Sequence, residues 1–211
     1  MPVPGHWLQL FMKTDEDIVL EKKKIRAKIK NLLGDLSEAG HKLKSKIITD
    51  SLLNSNEYIE SQTVFTYYPF RKEINTQEII KDALAKNKKV VLPRVSGSEI
   101  EIFFIKDMKT DLKPGSFNIL EPDVSICRKA ELQSIDIVIV PGLGFDLNFN
   151  RLGYGGGFYD KIMAKFGRKT KKIALAFDLQ ILDNIPSSSR DQKVDIIITE
   201  SNIYRNLTID N

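Results

Sequence analysis

Residues 135–160 read IDIVIVPGLGFDLNFNRLGYGGGFYD. The first six are apolar at nearly every position, as a strand covered on both faces of a parallel sheet must be. The next twenty hold six of the chain's twelve glycines: Gly142, Gly144, Gly153, Gly155, Gly156 and Gly157. Ordering glycine costs more backbone entropy than ordering any other residue, so this density marks a backbone that approaches something closely or takes positive φ. Open α/β sheets bind ligands outside the carboxyl ends of their strands, which is where this stretch begins. A run of N–H groups with one fixed cation, Arg151, at the mouth of the bend describes a concave anion site suited to phosphate. A tight turn packed under a sheet edge would use the same glycines.

The two common phosphate motifs do not fit. No Lys-Ser or Lys-Thr follows any of these glycines, as a Walker loop requires. The dinucleotide fingerprint fails at its third glycine, which would fall on Leu147 or on Phe158.

Outward from this stretch, short β-rich runs recur at 63–68, 90–92, 100–105, 173–177 and 196–199, with helical patterns at 18–33, 76–86 and 158–166. Strands alternating with helices predict a three-layer α/β sandwich around a mostly parallel sheet, with 135–140 and 196–198 as its central strands. Asn75 and Glu78 resemble a capping pair for the helix that follows. With 211 residues the chain suits one large domain, placed at 17–211, after a flexible extension over 1–16.

Composition narrows the function classes. Thirty-two basic against 28 acidic residues give a net charge of +4, too even for a dedicated nucleic-acid surface. No run is long enough to span a membrane and no signal peptide is evident. The single cysteine, Cys127, excludes an internal disulfide and a cysteine-based zinc site, and a cytoplasmic location is the default expectation; a monomer is expected as well. Histidine chemistry is not expected from His6 and His41.

The apolar arc of the 18–33 helix includes Ile18, Ile25, Ile29, Leu32 and Leu33, yet Lys22 falls in its middle and Arg26 at its rim. Snorkelling stems would explain both; two cations turned toward the sheet would serve a ligand. Asp160 ends the glycine stretch and Asp195 precedes an apolar run. Two carboxylates near a phosphate loop match the habit of Mg²⁺, although helix capping and loop capping account for each singly. Glu73 could meet the amino-pyrimidine edge of a heterocycle or simply be solvated. Tyr67, Tyr68, Phe117, Tyr154, Phe158 and Tyr159 could line a flat pocket or pack the core.

Taken together the chain resembles the 5-formyltetrahydrofolate cyclo-ligase family. PGLGFDLNFNRLGYGGGFYD is similar to the family signature, supported by Lys22-x-x-Ile25-Arg26, Glu73-Ile-Asn-Thr76, Leu92-Pro93-Arg94, Asn118-Ile-Leu-Glu121-Pro122 and the Asp191 to Asp195 stretch. The resemblance implies a fold of the sugar-phosphate isomerase and CoA-transferase group, and ATP-dependent closure of 5-formyltetrahydrofolate, polyglutamylated or not, to 5,10-methenyltetrahydrofolate with release of ADP and phosphate. It implies ATP contacts from Lys22, Lys23, Lys24, Ile25 and Arg26 and from Arg151, Leu152, Gly153, Tyr154, Gly155, Gly156, Gly157, Phe158 and Tyr159. Folate contacts would come from Arg26, Tyr68, Glu73, Tyr154, Gly155, Gly156, Gly157 and Phe158, and Mg²⁺ ligation from Asp160 and Asp195. Arg151 and Tyr154 would be catalytic, and Arg151 should be replaceable without loss of fold. Animal members carry basic residues where Tyr154 and Gly156 stand, so the charge falls here on Arg151, Lys22, Arg26 and the metal. The alternatives are a non-catalytic folate or nucleotide binder associated with RNA, and a sugar-phosphate enzyme working without ATP.

Overall fold

The structure is a computed structural model that describes residues 14–207. Its helices are α1 (Asp15–Asp35), α2 (Glu38–Leu53), α3 (Asn56–Glu60), α4 (Gln77–Ala85) and α5 (Phe158–Met163). The strands are β1 (Thr63–Phe65), β2 (Lys89–Ser96), β3 (Glu99–Ile105), β4 (Leu112–Pro114), β5 (Leu120–Pro122), β6 (Ile137–Val140), β7 (Gly144–Asp146), β8 (Arg151–Leu152), β9 (Lys171–Leu175), β10 (Ile181–Leu182), β11 (Ile196–Ile198) and β12 (Ile203–Arg205).

Thr14 caps α1 in a reciprocal box with Asp17, and the acidic first turn suits the positive end of the helix. Asp15 and Glu16 are therefore the first residues of α1, inside the stretch expected to be an extension, while residues 1–13 lie outside those described. Ser37 and Ser55 cap α2 and α3 with their hydroxyls alone, accepting from the Gly40 and Tyr58 N–H groups. The Asn75 and Glu78 pair does not form: the cap of α4 is Thr76, without a side-chain bond, and Asn75 instead accepts from the Gln77 N–H at 3.1 Å.

Seven strands form the main sheet in the order β12-β11-β9-β6-β1-β2-β3. The five inner strands run parallel, and β12 and β3 close the edges antiparallel. The expected central strand β6 is the fourth of the seven. The other, β11, lies one strand in from the edge; its unbroken apolar sequence reflects covering on both faces rather than a central place.

Strand side chains alternate between faces, and each face has its own layer. Val64, Val90, Ile137, Ile139 and Ile173 pack under Ile29 and Leu33 of α1, Ile48 and Leu52 of α2 and Ile79 of α4. Phe65, Val91, Val138, Val140 and Ala174 pack under Ile162 and Met163 of α5. Each fully buried leucine or isoleucine contributes about 1.5 to 3 kcal/mol. This is the predicted three-layer sandwich, and it leaves the carboxyl ends of β1, β6 and β9 facing one side.

Candidate active site

The glycine stretch leaves β6 at Pro141. Gly142 has no room for a side chain, since a Cβ there would stand 2.5 Å from the Phe145 ring. The chain turns into the β7–β8 hairpin, whose end is organised by the buried Asp146 carboxylate. That group accepts from the N–H groups of Asn148, Asn150 and Ile185 and from the Asn150 amide, all at 2.8 to 3.0 Å. Gln180 supports the other side, donating from its amide to the carbonyls of Gly142 and Leu143 at 3.1 Å.

The hairpin delivers Arg151, but not to the mouth of the bend. Arg151 is 5% exposed; it donates to the Pro141 carbonyl at 3.1 Å and pairs with Asp160 Oδ1 at 2.8 Å. A Cβ on Gly153 would lie 2.8 Å from Arg151 Nη1, so the absence of a side chain at 153 lets the bend close over the guanidinium. The expectation of Arg151 as an accessible cation at the mouth of the bend is corrected accordingly: its guanidinium is buried under the loop.

The accessible guanidinium belongs to Arg26. From α1 its Nε donates to the Gly153 carbonyl at 2.8 Å, and an ideal Cβ on Gly155 would lie 3.7 Å from its Cζ. Among the described residues, no hydrogen bond or ion pair engages its two terminal nitrogens. Burial draws the Arg26 pKa down and the Asp191 charge draws it back. One turn earlier, Lys22 Nζ meets Asp191 Oδ2 at 2.5 Å, so the cation inside the apolar arc answers a carboxylate. Burial works to raise the Asp191 pKa, but the Lys22 ammonium and Ser188 donors outweigh it and hold the group below the ordinary carboxylate range.

Asp191 is the residue sequence reasoning passed over. Its neighbour Gln192 donates its N–H to Asp160 Oδ1 at 3.2 Å, so the 188–192 turn lies against Asp160. Asp195, the expected metal ligand, is not brought there. It is level with Lys172 in the ladder, two residues short of the register of Val140, and accepts from the Lys172 N–H at 2.7 Å and the Lys172 ammonium at 3.3 Å. At ~3.3 Å per residue that places it roughly 7 Å below the end where the glycine stretch departs.

Across the site, the turn after β1 presents Glu73. Its carboxylate accepts from the Phe70 N–H at 2.9 Å, closing a turn in which Arg71 takes φ +56°. Burial pushes the Glu73 pKa up to about 7, against the Phe70 N–H and the Tyr154 hydroxyl, which hold it down. Tyr154, 45% exposed, is the loop residue that reaches it. Burial also raises the hydroxyl pKa values of Tyr67, Tyr154 and Tyr159, so all three remain neutral donors. Tyr159 stacks on Phe65, their centroids 6.3 Å apart, and Tyr68 packs at the core edge. Gly155 and Gly156 are exposed, Gly157 takes φ +67°, and a Cβ at Gly156 would press the Phe158 ring at 2.7 Å.

The structure thus gathers Lys22, Arg26, Glu73, Tyr154 to Tyr159, Asp160 and the buried Arg151. Three expected nucleotide contacts present no side chain there: Lys23 and Lys24 face solvent, and Ile25 packs on the core. The Leu152 side chain is also in the core, leaving only backbone at that position. The Phe117 side chain lies outside the described residues. A groove of about 870 Å³ between α2 and α4 reaches this region at Glu73.

A model described as the 5-formyltetrahydrofolate cyclo-ligase family matches residues 19–200, which spans every element named above except part of α1 and β12. The chain belongs to the 5-formyltetrahydrofolate cyclo-ligase family. It is 30% identical over 189 residues to the 5-formyltetrahydrofolate cyclo-ligase of Mus musculus, covering 85% of this chain and 93% of the mouse protein. The NMR structure of Aquifex aeolicus 5,10-methenyltetrahydrofolate synthetase is similar with a TM-score of 0.78 and 30% identity, covering 87% of this chain and 92% of that one. A Mycoplasma pneumoniae 5,10-methenyltetrahydrofolate synthetase, at 22% identity and TM-score 0.68, covers 85% of this chain and 98% of its own and shares the fold. Membership makes the chain a ligase of folate one-carbon chemistry and does not favour the non-catalytic binder.

Proposed function

We propose that this cyclo-ligase closes 5-formyltetrahydrofolate to 5,10-methenyltetrahydrofolate at the expense of ATP, with the triphosphate against residues 153–157 and the pterin toward Glu73. The observation that carries this reading is Arg26: a guanidinium fixed by one nitrogen to the exposed glycine bend, its other two donor nitrogens uncommitted among the described residues. Such a fork suits a phosphate already contacted by loop amides.

The chemistry asks for little from acid–base groups. The formamide oxygen attacks the γ-phosphorus and ADP leaves; N10 of the same molecule then attacks the formyl carbon, phosphate leaves, and the N10 proton is lost. Arg26 and the loop N–H groups stabilise charge as it spreads over the transferring group, each well-aimed donor contributing roughly 3 to 4 kcal/mol. Holding both nitrogens in one bound molecule supplies much of the second step. Ionised Glu73 accepts from the pterin amino and ring N–H groups, and neutral Tyr154 donates beside it. Arg151 holds the bend and Asp160 in place.

Among the described residues no three acidic, histidine or cysteine side chains form a metal cage. Asp160 and Asp191 nonetheless have a suitable donor set. Asp160 engages its neighbours through Oδ1 and Asp191 through Oδ2, and among the described residues the other oxygen of each has no hydrogen-bond or ion-pair partner. Mg²⁺ characteristically takes one or two carboxylates and completes its shell with nucleotide phosphates and water. These two aspartates would hold it, and it would neutralise phosphate charge.

The test is turnover by purified protein. ADP release dependent on formyl-folate, together with the methenyl chromophore, is the expected result. Retention of folate and nucleotide without turnover would overturn the reading, and turnover without ATP would move it to sugar-phosphate chemistry. We place the enzyme in the cytoplasm, as a monomer acting on mono- or polyglutamylated substrate, which fractionation and sizing would check.

A further inference from the structure

We infer that His41 is a positioning residue for the folate end of the site, acting through the backbone of Glu73. The inference rests on the reading of Glu73 as a folate contact. His41 lies in the first turns of α2, where its N–H continues the helix to the Ser37 carbonyl at 2.8 Å. Its Nε2 is 3.0 Å from the Glu73 carbonyl oxygen. A carbonyl only accepts, so Nε2 carries the proton and donates. The bond survives protonation of the ring, because the imidazolium donates from the same nitrogen.

The other side of the ring is fixed as well. His41 stands edge-on to Phe177, centroids 5.2 Å apart and planes at 62°. The Phe177 N–H is held by Gln180 Oε1 at 2.9 Å, and the same Gln180 carries the carbonyls of Gly142 and Leu143. One imidazole therefore ties the Glu73 turn to the support of the glycine stretch. The tether is needed because this turn is short of regular structure: it lies between β1 and α4, and Arg71 within it takes a left-handed conformation. Lys72 supplies a second anchor, donating to the Leu36 carbonyl at 3.1 Å; Glu73 itself is held within the turn by Phe70, whose carbonyl accepts from the Glu73 N–H at 3.1 Å, and His41 ties it to α2. A carboxylate must be placed within a fraction of an ångström to accept from a heterocycle, so freeing its backbone should weaken folate binding and spare the nucleotide.

Two substitutions separate the donor from the ring. His41→Phe keeps the edge contact with Phe177 and removes the donor; His41→Gln places an amide N–H near the original Nε2. With His41→Phe the KM for 5-formyltetrahydrofolate should rise roughly fivefold, the effect of one lost hydrogen bond. The KM for ATP and kcat should stay within about twofold and Tm should be close to that of the parent. His41→Gln should restore the folate KM. If His41→Phe does not fold, His41→Met fills the volume without a donor and carries the same expectation. An unchanged folate KM, or a parallel rise of both KM values with a lowered Tm, would overturn the assignment. Glu73→Gln, measured beside these, identifies the source of failure. If it leaves the folate KM unchanged, the reading of Glu73 is wrong and the role of His41 falls with it. If it raises the KM while His41→Phe does not, only His41 is misassigned. In the double variant, His41→Phe should add little to Glu73→Gln, since both act on one contact.

Discussion

The Tyr154 hydroxyl faces the Glu73 carboxylate and helps hold its pKa down, bringing the exposed glycine bend beside the turn that follows β1. The two segments enter the site from different layers, and this contact lets the state of one carboxylate be felt by the loop. Glu73 is also the one carboxylate in the site that burial pushes up to about 7. A protonated Glu73 has an O–H where a pterin needs an acceptor, so its ionisation bears on both stability and substrate.

The sign of the stability effect follows from proton uptake. Between the ordinary glutamate range and about pH 7 the folded chain holds the Glu73 proton and the unfolded chain has lost it, so stability falls as pH rises through this window and levels off above it. Glu73→Gln removes that slope, and its gain over the parent at pH 8 should reach at most about 3 kcal/mol. Urea midpoints at pH 5 and pH 8 check this; parallel changes in both proteins would show that Glu73 does not titrate late. In the parent, the KM for formyl-folate should fall from pH 6 to pH 8.

Asp191 and Asp195 make a discriminating pair. Asp191→Asn should raise the Mg²⁺ concentration needed for half-maximal nucleotide binding by about tenfold, as loss of one charged ligand does. Asp195→Asn should leave the metal titration unaltered and lower Tm, because it weakens the buried contact with Lys172. Titrating Mg²⁺ against a fluorescent ATP analogue distinguishes them, and a metal effect confined to Asp195→Asn would reverse the assignment.

How far the sequence carried the reading depends on where each signal resides. β6 was legible because four successive apolar residues need only be counted, and the density of glycines marked the bend. α2 was not, since its buried face mixes Ser45 and Thr49 with Ile48 and Leu52 and dilutes the helical period. Lys22 and Arg26 stood out by breaking an apolar arc, and both reach the site. That Asp191 rather than Asp195 lies beside Asp160 turns on four residues of chain: the 188–192 turn directs Asp191 to Lys22, while the ladder has already captured Asp195. The burial of Arg151 was not legible at all, being set by Gly153, Pro141 and Asp160 converging in three dimensions. His41, Asp146 and Gln180 act largely through backbone groups, and that role leaves no pattern in sequence.

Arg151→Ala should destabilise the fold rather than only slow the reaction. It would leave Asp160 and the Pro141 carbonyl without their buried partner, a loss of about 3 to 5 kcal/mol by analogy with broken buried pairs. Arg151→Lys should recover part of this, since a single ammonium cannot replace the two-nitrogen bridge to both acceptors. Denaturant midpoints read the loss. Wild-type stability with reduced ATP affinity would return Arg151 to the role of an accessible phosphate ligand.

Gly157→Ala and Gly153→Ala should fail for different reasons. At Gly157, φ is +67° and nothing lies within 4 Å of an added Cβ, so the cost is backbone strain alone, about 1 to 2 kcal/mol. At Gly153 the backbone is not left-handed, but the new methyl would meet Arg151 Nη1 at 2.8 Å, and the Gly153 carbonyl is the acceptor that fixes Arg26. Accommodating the methyl means moving either the guanidinium or the loop. Gly157→Ala should therefore lower Tm with modest change in the KM for ATP. Gly153→Ala should raise that KM by about tenfold or more, as displacement of a positioning group by about an ångström does. Equal KM effects at equal loss of Tm would mean that the bend responds to strain as a whole, and that Arg26 is not held by the carbonyl at 153.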